Sequence, residues 1–382
     1  MHYKFPEIRT IDDVLPHIKG RSEFIVVERE FGTVINYVVS MPDTFDMSGP
    51  DDLGGAIRRE CRGILFDKNG KILSRPFHKF FNISEREETQ IHNLDMTQPH
   101  VIMEKMDGSM IRPVLMDGEL YLGTKMGITD IANDALAWLN TNGYNYKGWL
   151  RSCVENDITP LFEWISPKNQ IVISYDNRDL VLLACRNNVT GEYFMPNDDD
   201  VCPFTIVPQY GSLNGNLGEY IERQRKAEGR EGDIIRFSNG HMYKVKNDWY
   251  VRIHKTMDMI RFDRNIVDLI INENVDDVVP MLPESEAEKV HKFEERFWTA
   301  FKQKENQLYG LRINAQQSYN DDRKRIALEM VPHLENKADS GFVFKMLDGH
   351  DLRELMLEHI KKNISTNVKW ESYAKWMGMN DD

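Results

Sequence analysis

A few residues in this 382-residue sequence have the types and the spacing that phosphoryl chemistry needs. Lys105, in Glu104-Lys105-Met106-Asp107-Gly108-Ser109, precedes Glu163 by 58 residues; Glu163 precedes Glu231 by 68, and Glu231 precedes Lys244 by 13. An amine attacks phosphorus only when unprotonated, so a nucleophilic lysine must be desolvated or placed beside other cations. Alone, Lys-x-Asp-Gly is read more simply as a strand ending in a turn with an exposed lysine. The neighbouring cations are offered by Glu231 to Ser238, joined by Asn239-Gly240 to His241 through Lys246. A two-residue hairpin loop pairs Ser238 with His241, Ile235 with Lys244 and Asp233 with Lys246. Opposed residues share a face. The expectation is one face carrying Glu231, Asp233, Ile235, Lys244 and Lys246, a surface suited to a triphosphate and a divalent metal. A solvated face of cross-strand ion pairs is the simpler alternative. It is weakened because the opposite face, with Ile234, Tyr243 and Val245 beside Arg236, already has apolar material for a core.

Two further stretches carry candidates. Glu163 sits in Phe162-Glu163-Trp164-Ile165, and an acid in an aromatic strand is costly to bury unless partnered. A ribose hydroxyl would serve, and so would a protein Arg or Lys. In Ser74-Arg75-Pro76-Phe77-His78-Lys79-Phe80-Phe81-Asn82, with Arg58-Arg59-Glu60-Cys61-Arg62-Gly63 upstream, bases and aromatics interleave. Phosphate contact with stacking is one reading; core packing of Phe80 and Phe81 beneath a basic surface loop is the other.

The elements that must position these groups are β-rich up to about residue 255. Lys68-Asn69-Gly70-Lys71, Asp117-Gly118 and Asn239-Gly240 each separate apolar runs and predict hairpins. Further strands are predicted at Phe24 to Glu28, Val34 to Val39, Leu161 to Ile165, Gln170 to Tyr175 and Leu180 to Arg186, with a helix over Asp130 to Asn140. Beyond that the pattern turns helical. Ser285 with Glu288 fits a capping box, followed by Val290, Phe293, Phe297 and Phe301 at helical spacing. Asp351 with Glu354 begins another helix, and Arg323 to Val331 and Val368 to Met377 also read as helical. The boundary is expected near residues 255–265.

Composition narrows the function classes. The net charge of −13, from 48 basic and 61 acidic residues, argues against coating nucleic acid through bulk charge, so any cationic site must be local. Residues 261–382 hold 18 basic and 23 acidic side chains and share this acidity. With 41% hydrophobic residues there is material for a sizeable core. The longest apolar run, Leu180 to Cys185, is too short to span a bilayer, and Met1 to Pro6 lacks a secretion-type apolar stretch. The four cysteines are scattered without a Cys-x-x-Cys pair, which predicts neither a zinc site nor a disulfide framework. The expected compartment is a reducing cytoplasm.

In order and spacing, Lys-x-Asp-Gly-Ser, Phe-Glu-Trp, Glu-Gly-Asp-Ile and Lys-Val-Lys resemble motifs I, III, IV and V of the covalent nucleotidyltransferases. Arg-Glu-Cys-Arg-Gly-Ile-Leu-Phe, Ser-Arg-Pro-Phe-His-Lys-Phe-Phe-Asn, Pro-Lys-Asn-Gln-Ile-Val-Ile-Ser-Tyr and Tyr-Lys-Val-Lys-Asn-Asp-Trp-Tyr-Val together resemble the bacteriophage RNA ligase 1 family of tRNA-repair ligases, from about residue 25 to 280. The resemblance implies an α+β fold. Residues 1–258 would form a nucleotidyltransferase domain of ATP-grasp-like antiparallel sheets, and residues 259–382 an all-α domain with RNA (tRNA) specificity. It implies an ATP-dependent ligase using Mg2+ or Mn2+. Lys105 would attack the α-phosphate of ATP, expel pyrophosphate and hold AMP as a phosphoramidate. AMP would pass to an RNA 5′-phosphate, which the RNA 3′-hydroxyl then attacks, expelling AMP. Lys105, Lys125, Lys246 and Glu231 would be catalytic. Tyr37, Arg62, Lys79, Glu104, Lys105, Glu163, Lys244 and Lys246 would contact the nucleotide. Glu231, Asp276 and Asp277 would serve the metal, although a helix N-cap also explains the aspartate pair. The implied partners are RNA with 5′-phosphate and 3′-hydroxyl ends, above all cleaved tRNA, and an end-healing kinase-phosphatase. The implied state is a monomer off the membrane, in host cytoplasm if phage-encoded. DNA ligases and capping guanylyltransferases share the lysine and Lys-x-Lys but usually continue into a β-barrel, whereas this chain reads as helical there. A non-catalytic RNA-binding protein on the same scaffold, or a helical adaptor, are the readings from other classes.

Overall fold

The computed structural model describes residues 3–142, 144–196 and 202–379. The chain divides into two compact units, residues 1–251 and 252–382. The division falls inside the helix Asp248–Ile260, a few residues before the expected boundary.

The strands of the first unit are β1 (Phe24–Arg29), β2 (Gly32–Tyr37), β3 (Arg62–Phe66), β4 (Ile72–Ser74), β5 (Phe81–Asn82), β6 (His100–Glu104), β7 (Ser109–Met116), β8 (Glu119–Gly123), β9 (Ile158–Ile165), β10 (Asp179–Asn187), β11 (Tyr193–Phe194), β12 (Gly232–Phe237) and β13 (Met242–Lys246). They form three sheets, in the orders β1-β2-β3-β4, β11-β10-β9-β7-β8 and β5-β13-β12-β6. Neighbours are antiparallel except β13 with β5. The period-two pattern explains the packing: Phe162 and Trp164 on β9 are wholly buried, while Glu163 between them points the other way. The predicted helix appears as Asp130–Thr141, capped by the Thr129 hydroxyl accepting from Ala132 N–H.

Two connections matter most. The chain leaves one sheet at Glu104 and enters another at Ser109, so residues 105–108 are the crossover between them. Lys105 N–H donates to the Gly232 carbonyl at 2.9 Å, and Met110 pairs with Glu163. This ladder brings the beginning of β12 and the middle of β9 to either side of the Lys105 turn.

The β12–β13 register differs from the expected one by a single residue. Ile234 opposes Lys244 and Gly232 opposes Lys246. The loop has three residues, with Phe237 N–H donating to the His241 carbonyl at 2.9 Å. Only Gly240 is left-handed there, at φ +87°, so Asn239-Gly240 does not form the two-residue turn that needs positive φ at both positions. Asp233 and Ile235 therefore lie on the face opposite Lys244 and Lys246. A second correction concerns Gln170 to Tyr175, which is an irregular loop after the 3-10 turn Pro167–Asn169 and not a strand.

The second unit is helical: Asp263–Ile271, Val275–Val278, Glu284–Tyr319, Asp339–Leu347, Leu352–Asn363 and Asn367–Met377 are its main α-helices. The 36-residue helix Glu284–Tyr319 buries Val290, Phe297, Phe301 and Leu308 against Met356, Ile360 and Trp370 from the last two helices. Its start corrects the capping assignment. The Pro283 carbonyl already accepts from Glu286 and Ala287 N–H, so Ser285 lies within the first turn instead of capping it. Asp351 caps its helix as expected, accepting from Glu354 N–H at 3.0 Å. Among the described residues no strand follows β13, and no helix is long and apolar enough to cross a membrane.

Candidate active site

Glu231 is the hub. It is 4% exposed, and its two carboxylate oxygens accept from Lys105 Nζ at 2.7 Å and Lys246 Nζ at 2.9 Å. This contact depends on Gly232. Its φ of +143° breaks the pleat, and a Cβ there would meet the Val245 carbonyl oxygen at 2.1 Å. The broken pleat lets Glu231 reach the Lys246 side although it precedes the strand.

Lys105 and Lys244 both line a cavity of about 520 Å3, with Arg62, Lys125, Glu163, Phe80 and Ile234 among its other walls. Lys244 Nζ lies 4.8 Å from the centre of the Phe80 ring. Burial holds the Lys244 pKa well below the usual lysine value, and Arg62, Lys105, Lys79 and Lys246 push it the same way. Cations from five positions thus converge on one place. Tyr37 joins them: Lys79 and Lys125 stand over its ring at 5.4 and 5.8 Å. Burial alone would raise the Tyr37 pKa, yet Lys79, Arg62 and Lys125 outweigh it and bring it below the ordinary phenol value. The stretch between Tyr37 and Arg62 contains the helix Leu53–Glu60, capped by Asp52, which returns the chain to Arg62.

Glu163 accepts from Gly108 N–H at 3.0 Å. Its carboxyl is pushed up to about 8, first by burial, with Lys105 opposing and Glu231 adding to the rise. Asp107 is 1% exposed and has both oxygens occupied. One accepts from Val172 and Ile173 N–H at 2.8 and 2.7 Å, the other from the Tyr250 hydroxyl at 2.6 Å. Asp107 is therefore a clasp joining the Lys105 turn, the 170–175 loop and the helix that follows β13. Tyr250 in turn lies under Lys246 Nζ at 5.2 Å.

Other sequence candidates are placed differently. Glu104 borders the cavity beside Lys105, but its carboxylate is engaged elsewhere, accepting from the Tyr210 hydroxyl at 2.7 Å, while its strand position pairs with Asp233. Asp233 is taken by Tyr220 and Arg230. Arg75 and His78 are buried, so the interleaved stretch does not offer these two bases to a phosphate; Phe81 is core and Phe80 lines the cavity. Asp276 and Asp277 lie on the short helix Val275–Val278 of the second unit, both exposed. Sequence reasoning missed Tyr250 and Tyr210, and left Phe80 between stacking and core packing, where the structure puts it in the cavity wall beneath Lys244. For Tyr250 the signal was present, a tyrosine four residues beyond Lys246 at the start of a helix.

No group of three or more His, Cys, Asp or Glu side chains able to hold a metal occurs among the described residues. Glu231 and Glu163, close enough that Glu231 raises the proton affinity of Glu163, fit a hydrated divalent ion held largely through phosphate oxygens better than a protein cage.

Comparison with known proteins shows the family. Residues 60–250 match the RNA ligase family. A protein of Thermovibrio ammonificans named as an RNA ligase is 31% identical over 284 residues, covering 70% of each chain. An Autographa californica nuclear polyhedrosis virus protein, named as a bifunctional polynucleotide kinase/RNA ligase, is 26% identical over 59% of this chain and 35% of its own length. RNA ligase 1 of bacteriophage TS2126 is 25% identical over 64% of this chain and 62% of its own. The chain belongs to the RNA ligase family.

Proposed function

We propose that this protein joins RNA 3′-hydroxyl and 5′-phosphate ends at the expense of ATP through a covalent lysyl-AMP. The observation that carries this reading is the sharing of Glu231 between Lys105 and Lys246 beside a cavity that Lys105 and Lys244 line. Lys105 Nζ attacks the α-phosphorus of ATP; a P–N bond forms, the bond to pyrophosphate breaks, and the amine gives up a proton. Lys244 and Lys246 neutralise the charge developing on the phosphate oxygens. A divalent ion held through Glu231 would add to that neutralisation. Arg62, Lys79 and Lys125, gathered around Tyr37, receive the remaining phosphates of the nucleotide and the 5′-phosphate of RNA. Glu163 takes a ribose hydroxyl, to which its carboxyl can donate or accept. AMP then moves to the RNA 5′-phosphate, and the 3′-hydroxyl of the second end displaces it.

The substrate proposed is cleaved tRNA, with the helical second unit contributing recognition of its shape. The kinase half in the name of the baculovirus relative supports a partner that heals the ends first. Incubation with α-labelled ATP and magnesium, followed by peptide mapping, tests the reading. Label on the Lys105 peptide is the expected outcome. Label on another peptide, or none on folded protein, refutes it; labelling by GTP in place of ATP would favour a capping enzyme.

A further inference from the structure

On strands β6 and β12, residues two apart share a face. Met103 pairs with Ile234, and both line the cavity of Lys105. The next rung of the same face pairs Val101 with Arg236, about 7 Å further along at about 3.4 Å per residue. This rung lines a second cleft of about 270 Å3, whose walls include Tyr193, Phe194 and Phe237. Phe194 is 40% exposed. Arg236 is half-buried, and its Nη1 is shut away from solvent with no hydrogen-bond partner among the described residues. Arg75 and Arg186 share Glu60, and Arg59 has Glu88, so these buried arginines of the same unit have carboxylates, whereas Arg236 has none among the described residues. An unpaired cation in such a place is costly unless an anion completes it.

We propose that this cleft holds a nucleotide of the single-stranded RNA being joined, with Arg236 taking its phosphate and Phe194 stacking on its base. A cation beside an exposed aromatic ring is the combination that holds unpaired nucleic acid without reading its sequence. Continuity of the sheet face links the cleft to the cavity. Gly232, against Lys105, is four residues from Arg236, about 14 Å along β12. The nucleotide held there is therefore not the reacting end but lies further along the RNA strand. The proposal rests on the RNA ligase reading and adds a subsite to it.

The test is fluorescence anisotropy of a short 5′-phosphorylated single-stranded RNA, at several salt concentrations, with wild type, Arg236→Met and Phe194→Ala. Methionine keeps the packing of the arginine stem, and Phe194 is exposed enough that its loss spares the core. Each variant should weaken binding about tenfold. Arg236→Met should also lower the salt slope by about 0.7 of a unit, the share of one phosphate on a single strand, and Phe194→Ala should not. Wild-type affinity in either variant, or equal losses with fully duplex RNA, would overturn the cleft. Wild-type protein that binds RNA in this way but acquires no AMP would overturn the ligase reading and leave the cleft standing.

Discussion

Two carboxylates in the first unit are each held between two cations, and they have opposite characters. Glu60 lies between Arg75 and Arg186, and all three side chains are 0% exposed. Arg75 spends its other donors on the Pro6, Asn188 and Val189 carbonyls, and Arg186 on those of Pro76 and Gly191. Burial alone would raise the Glu60 pKa, but the two guanidinium groups hold it below the ordinary range. Glu231 is as deeply placed, yet its partners are lysines that remain 22% and 30% exposed beside an open cavity. A guanidinium distributes five fixed donors and locks whatever it touches; an ammonium is a point charge on a flexible stem and can be handed to a new anion. The same formal arrangement is a rivet in one place and an exchangeable contact in the other.

If that contrast is right, the two sites should fail in different ways. The largest effect expected is in Lys105→Ala, which should acquire no covalent AMP while unfolding close to the wild-type temperature; covalent AMP on this variant would remove Lys105 from the reaction. Glu60→Gln should do the reverse. It leaves two buried guanidinium groups without their carboxylate, a loss of about 3–5 kcal/mol by denaturant titration. Glu231→Gln should cost clearly less stability, because its lysines can turn to solvent, while AMP attachment falls. Equal stability losses in the two glutamine variants would erase the distinction. Asp107→Asn sits between these extremes. Its amide can accept from Val172 and Ile173 N–H with one oxygen, but its other arm no longer accepts from the Tyr250 hydroxyl. A stability loss of about 1–3 kcal/mol is expected, with slower AMP attachment because the clasp on the Lys105 turn is loosened. An unchanged attachment rate would reduce Asp107 to a purely structural role.

The contrast also marks what could be read from the residues beforehand. Strands and hairpins followed from local chemistry where the turn obeyed its sequence. Asp117 and Gly118 both have positive φ, and Met116 pairs with Glu119 as a two-residue loop requires. Asn239-Gly240 looks the same in sequence, but there the longer loop moves the register by one. That shift exchanged Ile235 for Ile234 and sent Asp233 to the wrong face, while Lys244 and Lys246, two apart on one strand, stayed together under either register. Lys105, Glu163 and Glu231 lie far apart in sequence, and only their order and spacing against a known family linked them. The Glu60 cluster was invisible because Arg75 and Arg186 are 111 residues apart and an arginine next to aromatics reads as a nucleic-acid contact. The loop at Gln170 to Tyr175 has strand-like composition, but its Val172 and Ile173 N–H groups are claimed by Asp107, a tertiary bond that no local pattern announces.

The last test concerns Glu163, and it asks whether the cavity leaves the burial of its acid uncompensated, as the Glu60 cluster does not. The folded protein holds the Glu163 proton up to about 8, against an ordinary value of 4.5. Between these values the folded chain keeps a proton that the unfolded chain has released. Stability through this group therefore declines as pH rises from about 4.5 to about 8 and changes no further above that. Glu163→Gln mimics the protonated form at every pH. Its unfolding temperature should match the wild type near about pH 5 and exceed it near about pH 8, where each kcal/mol corresponds to roughly 2–4 °C for a domain of this size. Glu60 has the opposite sign: its lowered pKa gives stability that is present above the ordinary carboxylate range and lost on acidification. A Glu163→Gln advantage that does not grow with pH would mean that Lys105 alone keeps the carboxylate ionised, and the buried acid of the cavity would then be paired as firmly as the rivet at Glu60.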